Sequence, residues 1–212
     1  MAEGTDFLYP FIEGDETDHA TLLSDLAQSA QGKWQTSLDL ASTTVTESDR
    51  LLRETAFAMS QRFRAGGRLF VFGNGGSSTD ADEVVALYTR PPHGRTLPAR
   101  SLVTDQAVLT ALANDVGFDK VFSRQLIAHA QPQDIAMGFS TSGNSENLMV
   151  AFAEAAKRGL LTVGLAGIDG GRMASDAHLS HCLVARSQSV HRVQEAQAAL
   201  THQLWGYIQQ LQ

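Results

Sequence analysis

The sequence contains little of what exported or membrane-bound proteins rely on. Its single cysteine, Cys182, has no partner in the chain, so an internal disulfide and a zinc cage built from cysteines are both excluded. No run approaches the roughly 20 apolar residues that a membrane span requires. The N-terminus is acidic where a secretory signal peptide would be basic. These absences predict a soluble, cytoplasmic protein with no membrane partner.

The chain also lacks an excess of positive charge. Lys and Arg number 16 against 23 Asp and Glu, which gives a net charge of −7. Non-specific binding to DNA or RNA needs a concentrated basic surface, so no direct nucleic-acid partner is expected. What the chain does have is 43% apolar residues among 212, which is enough to bury a core and excludes a disordered or fibrous protein.

The hydrophobic pattern divides the chain into two parts. Residues 1–17 are acidic and aromatic without a sustained period, and we expect them to be a tail or an arm onto a neighbouring subunit. Residues 18–212 are expected to form a single domain. Its first part, residues 18–64, has apolar residues at helical spacing, which predicts two long helices with Thr46 as the N-cap between them.

After residue 64, short apolar runs alternate with helical patterns. Strands are predicted at residues 68–72, 99–103, 134–139, 160–165 and 178–184, and helices after residue 78 and at 106–113, 118–130, 146–158 and 190–210. Such alternation indicates crossover units and a buried parallel sheet with helices on both faces. The predicted fold class is therefore α/β, a doubly wound parallel sheet, and sites in such sheets lie at the carboxyl ends of the strands.

Two strand ends run into loops rich in glycine and serine, residues 73–78 and 140–145. Glycine lets the backbone turn sharply, and the following helix offers unpaired N–H groups, the positive end of its dipole and nearby hydroxyl donors. Either loop alone is equally well explained as a tight turn with an N-cap, but two on one sheet edge favour an anion site. The first lacks the third glycine of the dinucleotide fingerprint and neither ends as a P-loop, so a nucleotide is not expected.

The two loops, together with other segments in the same order and spacing, resemble the phosphoheptose isomerase branch of the sugar isomerase (SIS) domain family. The other matching segments are Asn114-Asp115 and residues 121–124, 167–174 and 192–195. The resemblance implies a five-stranded parallel sheet flanked by helices, a homotetramer built partly through the N-terminal helices, and sites at subunit interfaces. It also implies interconversion of sedoheptulose 7-phosphate and a heptose 7-phosphate.

The resemblance also implies which residues bind the phosphorylated sugar. In that family, residues matching the serines and the threonine of loop 140–145 hold the phosphate, with help from the residue matching Ser77. The substrate-binding residues expected here are Asn74, Gly75, Gly76, Ser77, Asn114, Asp115, Ser140, Thr141, Ser142, Ser145 and Gln194. Moving a carbonyl between adjacent carbons further requires a base and an acid, and stabilisation of the enediol between them.

The chain departs from the family pattern at the catalytic positions. The isomerases carry a histidine and, four residues later, a catalytic glutamate, and these places are taken by Glu83 and Leu87. A leucine can neither abstract a proton nor bind a metal. On the last helix Gln194 and His202 match the family, whereas the family's aspartate three places before the glutamine is His191.

Two interpretations of Glu83 stay open. It lies one helical turn before Leu87, so it is the candidate base, with His202 as acid and base. It also lies in an acidic cluster with Asp80 and Asp82, of the kind that commonly stabilises a helix N-terminus.

The sequence assigns no cofactor and leaves zinc open. Zinc held by Gln194 and His202, with Glu83 as a further donor, is a weaker possibility because the set contains one imidazole. Gln194 and His202 are also eight residues apart, roughly 12 Å along one helix, so a site they share is expected to need side chains from two subunits.

The leading hypothesis is an aldose–ketose isomerase that acts on sedoheptulose 7-phosphate. Its alternative is a non-catalytic SIS protein that senses a sugar phosphate or binds a partner, similar to the branch that binds the bacterial replication-initiator protein. The matching loops favour the first hypothesis, and the replacement of the glutamate by Leu87 motivates the second.

Overall fold

The computed structural model describes residues 19–212, with side chains from residue 22 onward. The predicted tail, residues 1–17, lies outside the described residues. The chain separates into two compact units, one ending at Leu38 and the other spanning Asp39–Gln212. The assignment of residues 18–212 to a single domain stays a prediction. Within residues 19–212, no helix is both long and apolar enough to cross a membrane.

The secondary structure alternates helices and strands after an initial helical pair. The elements are α1 His19–Glu47, α2 Asp49–Arg64, β1 Leu69–Gly73, α3 Gly76–Thr89, β2 Ala99–Ser101, α4 Gln106–Asp115, α5 Val121–His129, β3 Ile135–Ser140, α6 Glu146–Lys157, β4 Leu161–Gly167, β5 His181–Ala185 and α7 Val190–Leu211, with 3₁₀ turns at Phe118–Lys120 and Gly171–Ser175.

The five strands form one sheet in the order β2-β1-β3-β4-β5 with every neighbouring pair parallel. This confirms the predicted α/β fold class. The chain leaves β1 toward β2 on one side and returns to β3 on the other, which makes the β1–β3 boundary a topological switch point. Because Gly73 pairs with Phe139 in the register, the loops that follow β1 and β3 emerge side by side.

The sheet is buried on both faces. Along β1, Leu69 and Val71 pack into one apolar cluster with side chains of α2, α3 and α7, while Phe70 and Phe72 pack into another with side chains of α5 and α6. Successive side chains of a strand point to opposite faces, so two buried faces require an uninterrupted apolar strand. This requirement explains the continuous hydrophobic run that predicted β1.

Three details of the sequence prediction are wrong, and the first is the second strand, which ends at Ser101 rather than at residue 103. Thr46 does not cap the second helix, because its hydroxyl donates to the carbonyl of Ser42 at 2.8 Å inside α1, and Ser48 takes the N-cap position instead. The last strand begins at His181 rather than at residue 178. His178 is held in a turn, since its backbone N–H donates to Asp176 Oδ1 at 2.8 Å.

Candidate functional site

The two glycine and serine loops are joined by a pair of asparagines. Asn74 Nδ2 donates to Asn147 Oδ1 at 2.9 Å, and Asn147 Nδ2 donates back to Asn74 Oδ1 at 2.9 Å. Asn147 is buried in the first turn of α6. The sequence argument included Asn74 and missed Asn147, because a single asparagine inside a helix carries no distinguishing local pattern. The double hydrogen bond fixes the spacing between the loops at the switch point.

Three serine hydroxyls of loop 140–145 converge on one point. Ser140 Oγ lies 3.1 Å from Ser145 Oγ and 3.5 Å from Ser142 Oγ. Ser140 Oγ also accepts a hydrogen bond from the N–H of Gly143 at 3.1 Å. Thr141 lies between these serines, with its carbonyl oxygen 2.3 Å from where a side chain at Gly167 would begin. The loop is thus folded tightly against the end of β4.

The N-termini of α3 and α6 both face this region. Ser77 is buried at the start of α3, and its N–H donates to the carbonyl of Asn74 at 3.0 Å. Gly75, the N-cap of α3, has no side chain that could cap the helix, and Ser145, the N-cap of α6, makes no side-chain capping hydrogen bond. The first N–H groups of a helix need partners that the helix does not supply, and an anion is a favourable one. Loop hydroxyls and uncapped helix ends together provide the chemistry for binding a phosphate.

A small cavity lies between α3 and α7, below the first loop. Its wall is formed by Asp80, Glu83, Val84, Leu87, Phe139, Ala198, Thr201 and His202. The structure therefore brings Glu83 and His202 to one cavity, to which Leu87 adds an aliphatic surface. His202 Nδ1 lies 2.9 Å from the carbonyl oxygen of Ala198. Since a carbonyl oxygen only accepts, Nδ1 is the donor in this contact, and Nε2 is the ring nitrogen left to exchange a proton with a ligand.

Asp80 is the carboxylate that sequence reasoning did not assign to the site. Its Oδ2 accepts a hydrogen bond from Gln194 Nε2 at 3.0 Å. Burial raises the pKa of Asp80 above its ordinary value, the hydrogen bond from Gln194 opposes that rise, and the charge of Glu83 adds to it. Its neighbour Asp82 is exposed and accepts from Thr104 Oγ1 at 3.2 Å. The sequence signal was the three-residue spacing of Asp80 and Glu83, which places both on one helical face.

Gln194 and His202 are not brought together directly. Gln194 contacts Asp80 and Gly76, whereas His202 lies in the cavity wall. Within the part of the chain that the structure describes, no group of three or more His, Cys, Asp or Glu side chains is placed to hold a metal ion. With one imidazole, a leucine where the family has a carboxylate and the amide N–H of Gln194 directed at Asp80, the donor set does not fit zinc.

The remaining predicted residues lie at exposed positions. Asn114 and Asp115 are at the end of α4, where Asn114 Nδ2 donates to Asp115 Oδ1 at 2.7 Å. That hydrogen bond joins the two residues to each other rather than to either loop. His191 is exposed in the first turn of α7.

Known proteins resemble this chain in both sequence and structure. A phosphoheptose isomerase of Geobacter sp. (strain M21) is 45% identical over 142 residues, which cover 66% of this chain and 73% of the relative. One from Roseiflexus sp. (strain RS-1) is 37% identical over 172 residues, 79% of this chain and 85% of the relative. The solved phosphoheptose isomerase of Neisseria gonorrhoeae superposes with a TM-score of 0.79 at 31% identity, covering 86% of this chain and 98% of that one.

A second solved phosphoheptose isomerase, from Francisella tularensis, superposes with a TM-score of 0.80 at 26% identity over 87% of this chain and 98% of that one. A family model of the SIS domain matches residues 34–167. This match includes both glycine and serine loops, the switch point and the α3 wall of the cavity. The chain belongs to the SIS domain family.

Proposed function

We propose that this chain is an aldose–ketose isomerase that acts on sedoheptulose 7-phosphate. The observation that carries the proposal is the convergence of the hydroxyls of Ser140, Ser142 and Ser145 at an uncapped helix N-terminus, beside a cavity that holds proton-transfer groups. The relatives that match over most of their length are phosphoheptose isomerases, which supports the same substrate.

In this proposal the phosphate is bound by neutral donors. The hydroxyls of Ser140, Thr141, Ser142 and Ser145, with Ser77, donate to the phosphate oxygens, and the first N–H groups of α6 complete the contact. Gly75 and Gly76 let the backbone of the first loop approach the sugar. Asn114, Asp115 and Gln194 are assigned to the sugar itself, and exposed Asn114 and Asp115 suit a contact completed by another subunit.

The chemistry uses His202 and a carboxylate of α3. Isomerisation removes a proton from the carbon beside the carbonyl and passes through an enediolate, whose other proton moves between the two oxygens. His202 Nε2 is the ring nitrogen left for the oxygen-to-oxygen transfer. Glu83, which shares its cavity, is the carboxylate that the sequence offers as base.

The oligomer and location belong to the same proposal. We expect a homotetramer in the cytoplasm, and the support for self-association is the apolar side chains that α1 exposes at helical spacing, among them Leu23 at 67% and Trp34 at 63%. Light scattering after size-exclusion chromatography measures the oligomer, and a monomeric mass would contradict this part.

The substrate assignment is tested by incubating the purified protein with sedoheptulose 7-phosphate, with and without added zinc, and following aldose formation by NMR. We expect turnover by the wild type. The Ser142→Ala, Ser145→Ala double variant is expected to lose roughly a hundredfold or more in affinity, because each of the two lost hydrogen bonds to a charged group is worth about 1.5–3 kcal/mol. The exposed Ser175, in the Gly171–Ser175 turn, provides the matched control as Ser175→Ala. Binding without turnover would contradict the isomerase and support a sugar-phosphate sensor.

A further inference from the structure

The helix α3 directs two carboxylates, Asp80 and Glu83, to the cavity that His202 also lines. The two differ in how they are held. Asp80 is half-buried and fixed by Gln194, whereas Glu83 is exposed and, among residues 19–212, makes no hydrogen bond or ion pair. A group that transfers a proton is effective when its orientation is fixed before the substrate arrives. By this criterion Asp80 is better preorganised for proton transfer than Glu83.

The orientation of Asp80 comes from α7 through Gln194, whose side-chain amide packs against Gly76. The amide of Gln194 lies against Gly76 so closely that a Cβ there would be 2.6 Å from Gln194 Nε2. Pinned in this way, Nε2 donates to Asp80 Oδ2 at 3.0 Å. The other oxygen, Oδ1, accepts no hydrogen bond from the described part of the chain. One oxygen of Asp80 is therefore anchored, and the lone pairs of the other accept nothing within residues 19–212.

We propose that Asp80 is the general base of the isomerisation and takes over the task of the carboxylate that Leu87 cannot perform; this inference rests on the proposed isomerase function. Asp80 Oδ1 takes the proton from the carbon beside the carbonyl, and the electron pair of that C–H bond forms the C=C bond of an enediolate. His202 Nε2 takes the hydroxyl proton and delivers it to the former carbonyl oxygen. Asp80 then returns its proton to the neighbouring carbon, so the reaction needs no oxidant, reductant or net proton.

The surroundings of Asp80 make its carboxylate a stronger base than an exposed aspartate. The charged or titratable groups that face it are Glu83 on its own helix and His202 on α7, while β3 contributes the apolar Phe139. Burial and the charge of Glu83 raise the pKa of Asp80, and Gln194 lowers it. A carboxylate with a raised pKa is a stronger base, and Glu83 therefore acts by tuning Asp80.

The decisive variant is Asp80→Asn, which keeps the size of the side chain and a group that can pair with the Gln194 amide. We expect kcat to fall by roughly 10²-fold or more with KM changed less than about threefold, and deuterium incorporation from D₂O into the sugar carbon to fall in parallel. Asp82→Asn removes a carboxylate from the same helix turn outside this cavity and is expected to keep wild-type turnover. Wild-type kcat in Asp80→Asn would overturn the proposal.

Two further variants should shift the pH profile in opposite directions. Glu83→Gln removes a negative charge that repels ionised Asp80. The acidic limb of the plot of kcat against pH should therefore move to lower pH, with less than about a tenfold loss of kcat. Gln194→Met keeps the length of the side chain and removes the hydrogen bond, so the limb should move to higher pH. An unmoved limb in both variants, or a loss of roughly 10²-fold in Glu83→Gln with an active Asp80→Asn, would contradict Asp80 as the base.

The thermal stability of Asp80→Asn distinguishes a role of Asp80 as general base from a purely structural role. A carboxyl group whose pKa is raised by folding binds its proton more tightly in the folded state, so folding loses stability as pH rises from the ordinary pKa through the raised one. Above the raised pKa this stability is lost, and there Asp80→Asn should unfold at a higher temperature than the wild type while it loses activity. A lower unfolding temperature would assign Asp80 a structural role.

The activity of the wild type on sedoheptulose 7-phosphate must be measured before that of the variants. If it does not isomerise sedoheptulose 7-phosphate, the proposed function fails and the role of Asp80 as base fails with it. If the wild type is active and Asp80→Asn is equally active, the isomerase stands and this inference alone is wrong.

Discussion

The backbone at Gly143 decides whether the serine cluster can form. Its φ of +67° lies in the left-handed region, and a Cβ there would be 2.0 Å from the carbonyl oxygen of Gly170. That oxygen is a backbone atom, which cannot rotate away as a side chain could. With Gly143 in this conformation, its N–H donates to Ser140 Oγ and its carbonyl accepts from the N–H of Met173 at 3.0 Å. The hydroxyl geometry thus depends on a residue that contributes no side chain.

Gly143→Ala is expected to destabilise the fold by about 2–4 kcal/mol, because the strained φ adds to a backbone clash that must move the Gly170 turn. Gly206 in α7 is the matched control, since nothing lies within 4 Å of a Cβ added there. Gly206→Ala should stabilise the protein by up to about 1 kcal/mol through helix propensity. Urea unfolding measures both, and equal stability of the two variants would contradict the proposed steric role of Gly143.

The elements that carry the site differ in how readily the sequence predicts them. The strands β1, β3 and β4 are continuous apolar runs, and the glycine and serine loops follow β1 and β3 in the chain, so the sheet and its loops could be predicted from local pattern. The pairing of Asn74 with Asn147 could not, because it joins residues 73 positions apart. Nor could the difference between Asp80 and Asp82, which depends on the packing of α7 against α3 rather than on α3 itself.

The asparagine pair also predicts that α3 and α6 act together. Asn147→Ala leaves the Asn74 amide without its partner at a half-buried position, and we expect a loss of about 2 kcal/mol in stability with weaker sugar-phosphate binding. In a double-mutant cycle with Asn74→Ala the two losses should be less than additive by about 0.5–3 kcal/mol. Additive losses measured by chemical unfolding would show that the pair does not couple the loops.

The whole molecule carries a net charge of −7, yet its proposed ligand is an anion. The cation beside the serine loop, Arg172, is ion-paired with Glu146 at 2.5 Å, and its backbone N–H donates to Asn144 Oδ1 at 3.0 Å. In this proposal the attraction to the phosphate comes from hydroxyls and helix N–H groups, which act at short range. The long-range field of the protein opposes the approach of the ligand.

This balance predicts an unusual dependence on salt. A site built from lysines and arginines loses affinity as ionic strength rises, whereas here added salt screens the repulsion and leaves the short-range hydrogen bonds unaffected. We expect the Kd for sedoheptulose 7-phosphate to stay constant or to fall by up to about threefold between 20 and 200 mM NaCl.

At a ligand concentration of about 100 Kd, the free energy of unfolding of the wild type should rise by about 2.7 kcal/mol, or roughly 5–10 °C in Tm, at both salt concentrations. The Ser142→Ala, Ser145→Ala variant serves as the control and should lose most of that gain. An affinity that drops steeply with salt would contradict a site that binds phosphate through hydroxyls and N–H groups, and would implicate the guanidinium of Arg172.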